Sequence, residues 1–97
     1  MLRIEVTEIY DKWFNRLRDV RAKDIINSRI DRIKENENFG DCKSLGAGLY
    51  EIRVHYGGGY RLYFVYKGNR WVLILCGGGK STQPRDIKLA RKLAEEV

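Results

Sequence analysis

Leu2, Ile4 and Val6 alternate with Arg3 and Glu5 at the head of the chain, the two-residue period of a short half-buried strand. Thr7 can then cap a helix, and Ile9, Trp13 and Leu17, with Tyr10 and Phe14, recur at helical spacing to about Arg18. A second helix is predicted from about Val20 to Glu37. Its apolar positions Ala22, Ile25, Ile26, Ile30 and Ile33 make one stripe, and the rest is charged. Two antiparallel helices joined by a tight turn near Asp19 are the simplest arrangement, with both stripes serving as core.

Gly40 to Gly48 reads as a glycine-rich loop. Three β segments follow in quick succession: Leu49–Tyr56, then Gly57-Gly58-Gly59, then Tyr60–Tyr66, a turn around Gly68-Asn69, and Arg70–Cys76. Short Gly-rich connections between β-branched and aromatic runs signal an antiparallel meander. Gly77-Gly78-Gly79 ends the sheet. Ser81 or Thr82 can cap a last helix with Pro84 in its first turn and an apolar face of Ile87, Ala90, Leu93, Ala94 and Val97. The order is β-α-α-β-β-β-α, an α+β fold in which a helical hairpin packs on one face of an antiparallel sheet. Residues 1–97 contain no internal repeat or linker and are expected to form one domain.

The meander also sorts its side chains. A three-residue loop at Gly57–Gly59 sets Tyr56 opposite Tyr60 and pairs His55 with Arg61, Val54 with Leu62, Arg53 with Tyr63 and Ile52 with Phe64. Alternation then gives Ile52, Val54, Leu62 and Phe64 to the helices and leaves Arg53, His55, Arg61 and Tyr63 together on the opposite face. Cys76 falls beside Arg61, so Lys80 leaves the sheet next to the same cluster. Glu51 is on this face one step further out, and no carboxylate is expected among the nearest neighbours. Arginines side by side are electrostatically unfavourable unless an anion is supplied. Guanidinium forks match phosphate geometry, and a histidine can move a proton near neutral pH.

Charge supports that picture. The net charge is +6, and all of it arises after Glu51, where nine Lys and Arg face three Asp and Glu. A one-sided field of this kind favours a polyanionic partner such as nucleic acid. No stretch approaches the roughly 20 apolar residues of a membrane span, and charges interrupt the first residues where a secretory signal would need an apolar run. A cytoplasmic protein without membrane contact is expected. Cys42 and Cys76 lie far apart with no second pair, which is neither a zinc pattern nor a disulfide framework and fits reduced thiols. Gly79-Lys80-Ser81 looks like the end of a phosphate-binding P-loop, but that motif needs its first glycine where Ile74 stands and a parallel βαβ setting. Lys80 is better read as one cation of the cluster.

The runs Gly48-Leu49-Tyr50-Glu51-Ile52-Arg53-Val54-His55-Tyr56, Gly59-Tyr60-Arg61-Leu62-Tyr63-Phe64 and Leu75-Cys76-Gly77-Gly78-Gly79-Lys80-Ser81-Thr82-Gln83 together resemble the RelE/ParE superfamily of bacterial toxins. The HigB-like branch, the addiction module killer proteins, looks closest, and the likeness spans essentially the whole chain. The resemblance implies a type II toxin that cleaves messenger RNA on the ribosome and is neutralised by an antitoxin from the same operon. That antitoxin usually carries a helix-turn-helix domain, so operator DNA is met only through the toxin–antitoxin complex. It implies no metal and no cofactor. The family chemistry is attack of a ribose 2′-hydroxyl on the adjacent phosphate, leaving a 2′,3′-cyclic phosphate, which needs charge stabilisation, a proton acceptor and a proton donor.

Carried over by position, Arg61 matches the family's phosphate-binding arginine, Arg53 a basic residue of the preceding strand, and Lys80 the basic position after the last strand. His55 joins them from strand geometry, completing an expected catalytic set of Arg53, His55, Arg61 and Lys80. Tyr63, Arg85, Lys88 and Arg91, with Lys92 beside them, are expected to grip the surrounding RNA. The chain departs from its relatives in two places. They have a tyrosine in the last helix, near the position of Ile87, and a basic residue where Glu51 stands. ParE-type members share the fold and poison DNA gyrase without a ribonuclease site; the Arg, His, Tyr and Lys cluster favours cleavage.

Overall fold

The computed structural model describes residues 2–68 and 70–97. Its elements are β1 (Arg3–Val6), α1 (Glu8–Arg16), α2 (Val20–Asn36), β2 (Cys42–Gly46), β3 (Leu49–Val54), β4 (Tyr60–Lys67), β5 (Trp71–Gly79) and α3 (Gln83–Glu95). The helix starts follow the capping chemistry: Thr7 Oγ1 accepts from the Tyr10 amide at 3.1 Å and Asp19 Oδ1 from the Ala22 amide at 3.1 Å. Glu37 closes α2 in the left-handed region, φ 56°.

Two expectations about the sheet need correction. Residues 42–46 form a strand, not part of a loop, and the sheet is mixed, in the order β1-β5-β4-β3-β2. β2 pairs antiparallel with β3 through a two-residue turn in which Ala47 (φ 53°) and Gly48 (φ 78°) are both left-handed, the geometry whose twist suits a hairpin. Alanine rarely takes that conformation, so the turn carried no signal. β1 runs parallel to β5. Alternation along a strand says which face a side chain takes, not which way a neighbour from the other end of the chain runs. The β4–β5 turn contains position 69, which lies outside the described residues.

Helices cover both faces of the sheet. On one, the hairpin of α1 and α2 closes over Ile52, Val54, Leu62, Phe64, Val72 and Ile74 with Leu2, Tyr10, Ile26 and Ile33. On the other, α3 uses Ala90, Ile87, Leu89, Leu93 and Ala94 to cover Leu49, Tyr63, Val65, Leu73, Leu75 and Cys76. A bulge between Tyr63 and Phe64 against β5 turns both Leu75 and Cys76 toward α3. Val97 lies past the end of α3 and is 48% exposed, so it does not extend that helix's apolar face.

The Gly-rich end of β5 is shaped by these two layers. A Cβ on Gly77 would run into the Trp13 ring of α1, and one on Gly78 into the Asp86 carboxylate of α3. The glycines let one helix from each face approach the same strand. They belong to the strand itself and not to a loop ahead of α3, so they lack the setting of a P-loop.

Candidate functional site

The open end of β3 and β4 holds a cleft of about 430 Å³, lined by Arg53, His55, Arg61, Lys80 and the glycine loop that joins the strands. The four residues expected to be catalytic are therefore brought together. Their register differs from the expectation. Arg53 pairs with Arg61 and Val54 with Tyr60, a slip of two positions from the predicted pairing. The connection is five residues, 55 to 59, in place of three. Gly59 N donates to Tyr56 O at 3.0 Å, and Gly57 and Gly59 take left-handed φ values of 59° and 87°. An even slip preserves the faces, so the arginines stay together, but His55 moves from the strand into the loop.

Carboxylates stand beside both arginines, contrary to expectation. Asp41 Oδ1 accepts from Arg53 Nη2 at 3.0 Å, and Asp41 Oδ2 accepts from His55 Nε2 at 2.5 Å. The hydrogen bond from His55, followed by that from Arg53, holds the Asp41 carboxyl below its usual range. Glu51 sits under Arg61, its Oε2 3.7 Å from Arg61 Nε and accepting from Gln83 Nε2 at 2.8 Å. Asp41 reaches the site because β2 pairs with β3; the Arg53 amide donates to the Asp41 carbonyl at 2.9 Å. With β2 read as a loop, that neighbour could not be placed.

Arg29 of α2 fastens this corner from behind. Its Nη1 donates to the Arg53 carbonyl at 2.8 Å and its Nη2 to the Phe39 carbonyl at 3.0 Å. Partial burial lowers its pKa. β3 and the connection that leads into β2 thus hang on one guanidinium, a role no periodicity could announce.

The expected RNA-gripping set divides. Tyr63 is fully buried beneath α3, at 0% exposure, and cannot touch RNA; alternation put it on the correct face, but that face is covered there. Burial first, then the nearby Glu51 carboxylate, pushes its hydroxyl pKa up. Arg85, Lys88 and Lys92 are exposed along α3. Arg91 donates through Nη2 to the Leu45 carbonyl at 3.1 Å. That is two turns of helix from the start of α3, or roughly 12 Å along its axis, and it sets Arg91 apart from the cleft.

Two guanidinium groups, an ammonium and an imidazole with one ring nitrogen already engaged make a site that can neutralise a phosphodiester and move a proton beside it. The structure shares its fold with the RelE toxins. The isolated E. coli RelE toxin matches with a TM-score of 0.68 at 16% identity, covering 91% of this chain and 97% of that one. The toxin–antitoxin complexes behave alike. The intact E. coli RelBE complex gives 0.61 at 16% identity, over 81% of this chain and 96% of that chain. The archaeal RelE–RelB complex from Pyrococcus horikoshii gives 0.57 at 17%, over 81% and 94%. At such identities the likeness is one of fold, and it is the fold expected from the resemblance above. Sequence similarity then narrows the class: the chain belongs to the family described as Phage derived protein Gp49-like (DUF891), which matches residues 12–95. An uncharacterized protein of Haemophilus influenzae is 45% identical over 96 residues, 99% of this chain and 96% of its own length.

Proposed function

We propose that this protein is the toxin of a type II toxin–antitoxin pair and acts as an endoribonuclease on ribosome-bound mRNA in the cytoplasm. The observation that carries the reading is the cross-strand pair of Arg53 and Arg61 in one open cleft with His55 and Lys80. Solved relatives of the fold are toxins held by antitoxins, which supports a cognate antitoxin here. A helix-turn-helix antitoxin would bring operator DNA to the complex.

In this mechanism Arg61 and Arg53 bind the non-bridging oxygens of the scissile phosphate. His55 donates Nε2–H to Asp41, so in the neutral ring Nδ1 is the free acceptor. Nδ1 takes the proton of the ribose 2′-hydroxyl as the 2′-oxygen bonds to phosphorus. The bond to the 5′-oxygen breaks, that oxygen takes up a proton from water in the open cleft, the imidazolium returns its proton to solvent, and a 2′,3′-cyclic phosphate remains. The Lys80 ammonium, exposed at the cleft edge, offsets the negative charge that builds on the phosphate. Arg85 and Lys88, exposed on α3, hold flanking phosphates at a salt-dependent cost.

The test is expression of the chain in bacteria with and without the adjacent reading frame, followed by mapping of mRNA 5′ ends. Growth arrest with new ends inside coding regions, both relieved by the neighbour, is expected. A DNA-damage response without new ends would mean a gyrase poison instead.

A further inference from the structure

Glu51 has a side chain only 2% exposed, and a carboxylate is rarely kept that far from water without a partner. Tyr63 lies directly opposite it on β4, and a phenol, neutral or anionic, cannot offset the carboxylate's charge. Gln83, the first residue of α3, donates to Glu51 Oε2 at 2.8 Å and fixes the carboxylate in place. The cation that faces it is Arg61, through Nε at 3.7 Å.

Arg61 has two sides. Its Nε is shut away from solvent and makes no hydrogen bond, so the Glu51 carboxylate holds it as an ion-pair partner. The side chain as a whole is 15% exposed and lines the cleft. Among the described residues no hydrogen bond within the chain engages its terminal nitrogens. Arg53 is held differently: its terminal Nη2 is bonded to Asp41, whose side chain is 36% exposed, so water or a phosphate can displace that partner. Glu51 cannot be displaced in this way.

We propose that Glu51, seated by Gln83, is a positioning residue that holds Arg61 by its inner Nε edge and presents the terminal nitrogens to a phosphate in the cleft. The proposal rests on the ribonuclease reading of the cleft. It makes Arg61 the preorganised arm of the pair and Arg53 the exchangeable one. It also gives a reason for a carboxylate at position 51, where a basic residue would only add to the repulsion between the two arginines.

Two variants test it. Glu51→Gln keeps the shape and removes the charge; Gln83→Ala removes the seat and keeps the charge, and it decides the matter if the first variant fails to fold. In each folded variant kcat for RNA cleavage should fall by about tenfold or more, as outer supports of a reactive group commonly require, while KM changes far less. Independently of cleavage, the Arg61 Nε–H resonance should exchange with solvent faster than in the parent. An unchanged exchange rate in both variants overturns the hold on Arg61, as does a loss confined to KM. A parent that cuts no RNA overturns the reading of the cleft, and the exchange rates then still decide whether Glu51 holds Arg61.

Discussion

Arg53 and Arg61 face each other across β3 and β4, each with a carboxylate of its own: Asp41 at 3.0 Å for the first and Glu51 at 3.7 Å for the second. Two like charges directly opposite in a sheet are destabilising, and these carboxylates relieve the repulsion in the free protein. The cluster still carries Lys80 uncompensated, so an entering phosphate meets net positive charge.

The tie between Asp41 and His55 is open to titration. Asp41 is held below its usual range chiefly by His55 and next by Arg53, so this pairing is present at neutral pH and is lost as pH falls through the lowered value. In His55→Ala the Asp41 carboxyl, followed by its 13C shift, should move back up toward the ordinary carboxylate range. Arg53→Ala should move it less. An Asp41 that titrates identically in the parent and His55→Ala would contradict the contact.

The glycines that end β5 should differ sharply in tolerance. Gly77→Ala and Gly78→Ala force a methyl into Trp13 and Asp86 respectively and should each cost about 1–3 kcal/mol by overpacking. Gly79→Ala meets only the Gly59 carbonyl at 3.7 Å, an ordinary contact, and should fall within about 0.5 kcal/mol of the parent. Urea midpoints read all three.

Arg29→Ala removes both charged hydrogen bonds that fasten Phe39 and Arg53. A loss of about 2–3 kcal/mol is expected, with faster amide exchange at the β2–β3 end than in α3. Uniform loosening across the chain would speak against a local fastening.

Alkali should weaken the fold early. Burial raises the pKa of Tyr10 and Tyr63, and pushes the Cys76 thiol up to about 12. Stability tied to a raised pKa is whole below the unfolded value, about 10 for tyrosine, and is lost as pH climbs above it. The Tyr10 hydroxyl is buried without a partner, so Tyr10→Phe should leave stability at pH 7 equal or higher and flatten the alkaline decline. The Cys76 thiol should also resist alkylation at pH 8 while Cys42, half-buried, reacts first.

Local physics made much of this legible in advance. The 3.6-residue stripes, the cap Thr7 and the turn placed near Asp19 marked α1 and α2 closely, and two-residue alternation assigned the faces of β3 and β4 even though the register was off by two. Parity survives an even slip; loop length does not follow from glycine count alone, so His55 was placed in a strand. β2 was hidden because Ala47 holds a turn position usually given to Asn or Gly, and Asp41 went unseen with it. The depth of Tyr63 and Glu51 depends on α3 folding back over the sheet, a tertiary choice. Its trace in the sequence was the apolar stripe of α3, which needs a sheet face to cover.

Purified protein incubated with ribosomes and a defined mRNA, with fragment ends analysed, tests the central claim most directly. The parent should yield 2′,3′-cyclic phosphate ends and matching 5′-hydroxyl ends, and folded Arg61→Ala should cut about 100-fold more slowly or worse, the usual loss when a transition-state charge partner is removed. Cleavage at the parental rate by Arg61→Ala, or a folded, growth-arresting parent that leaves the mRNA whole, would contradict the account.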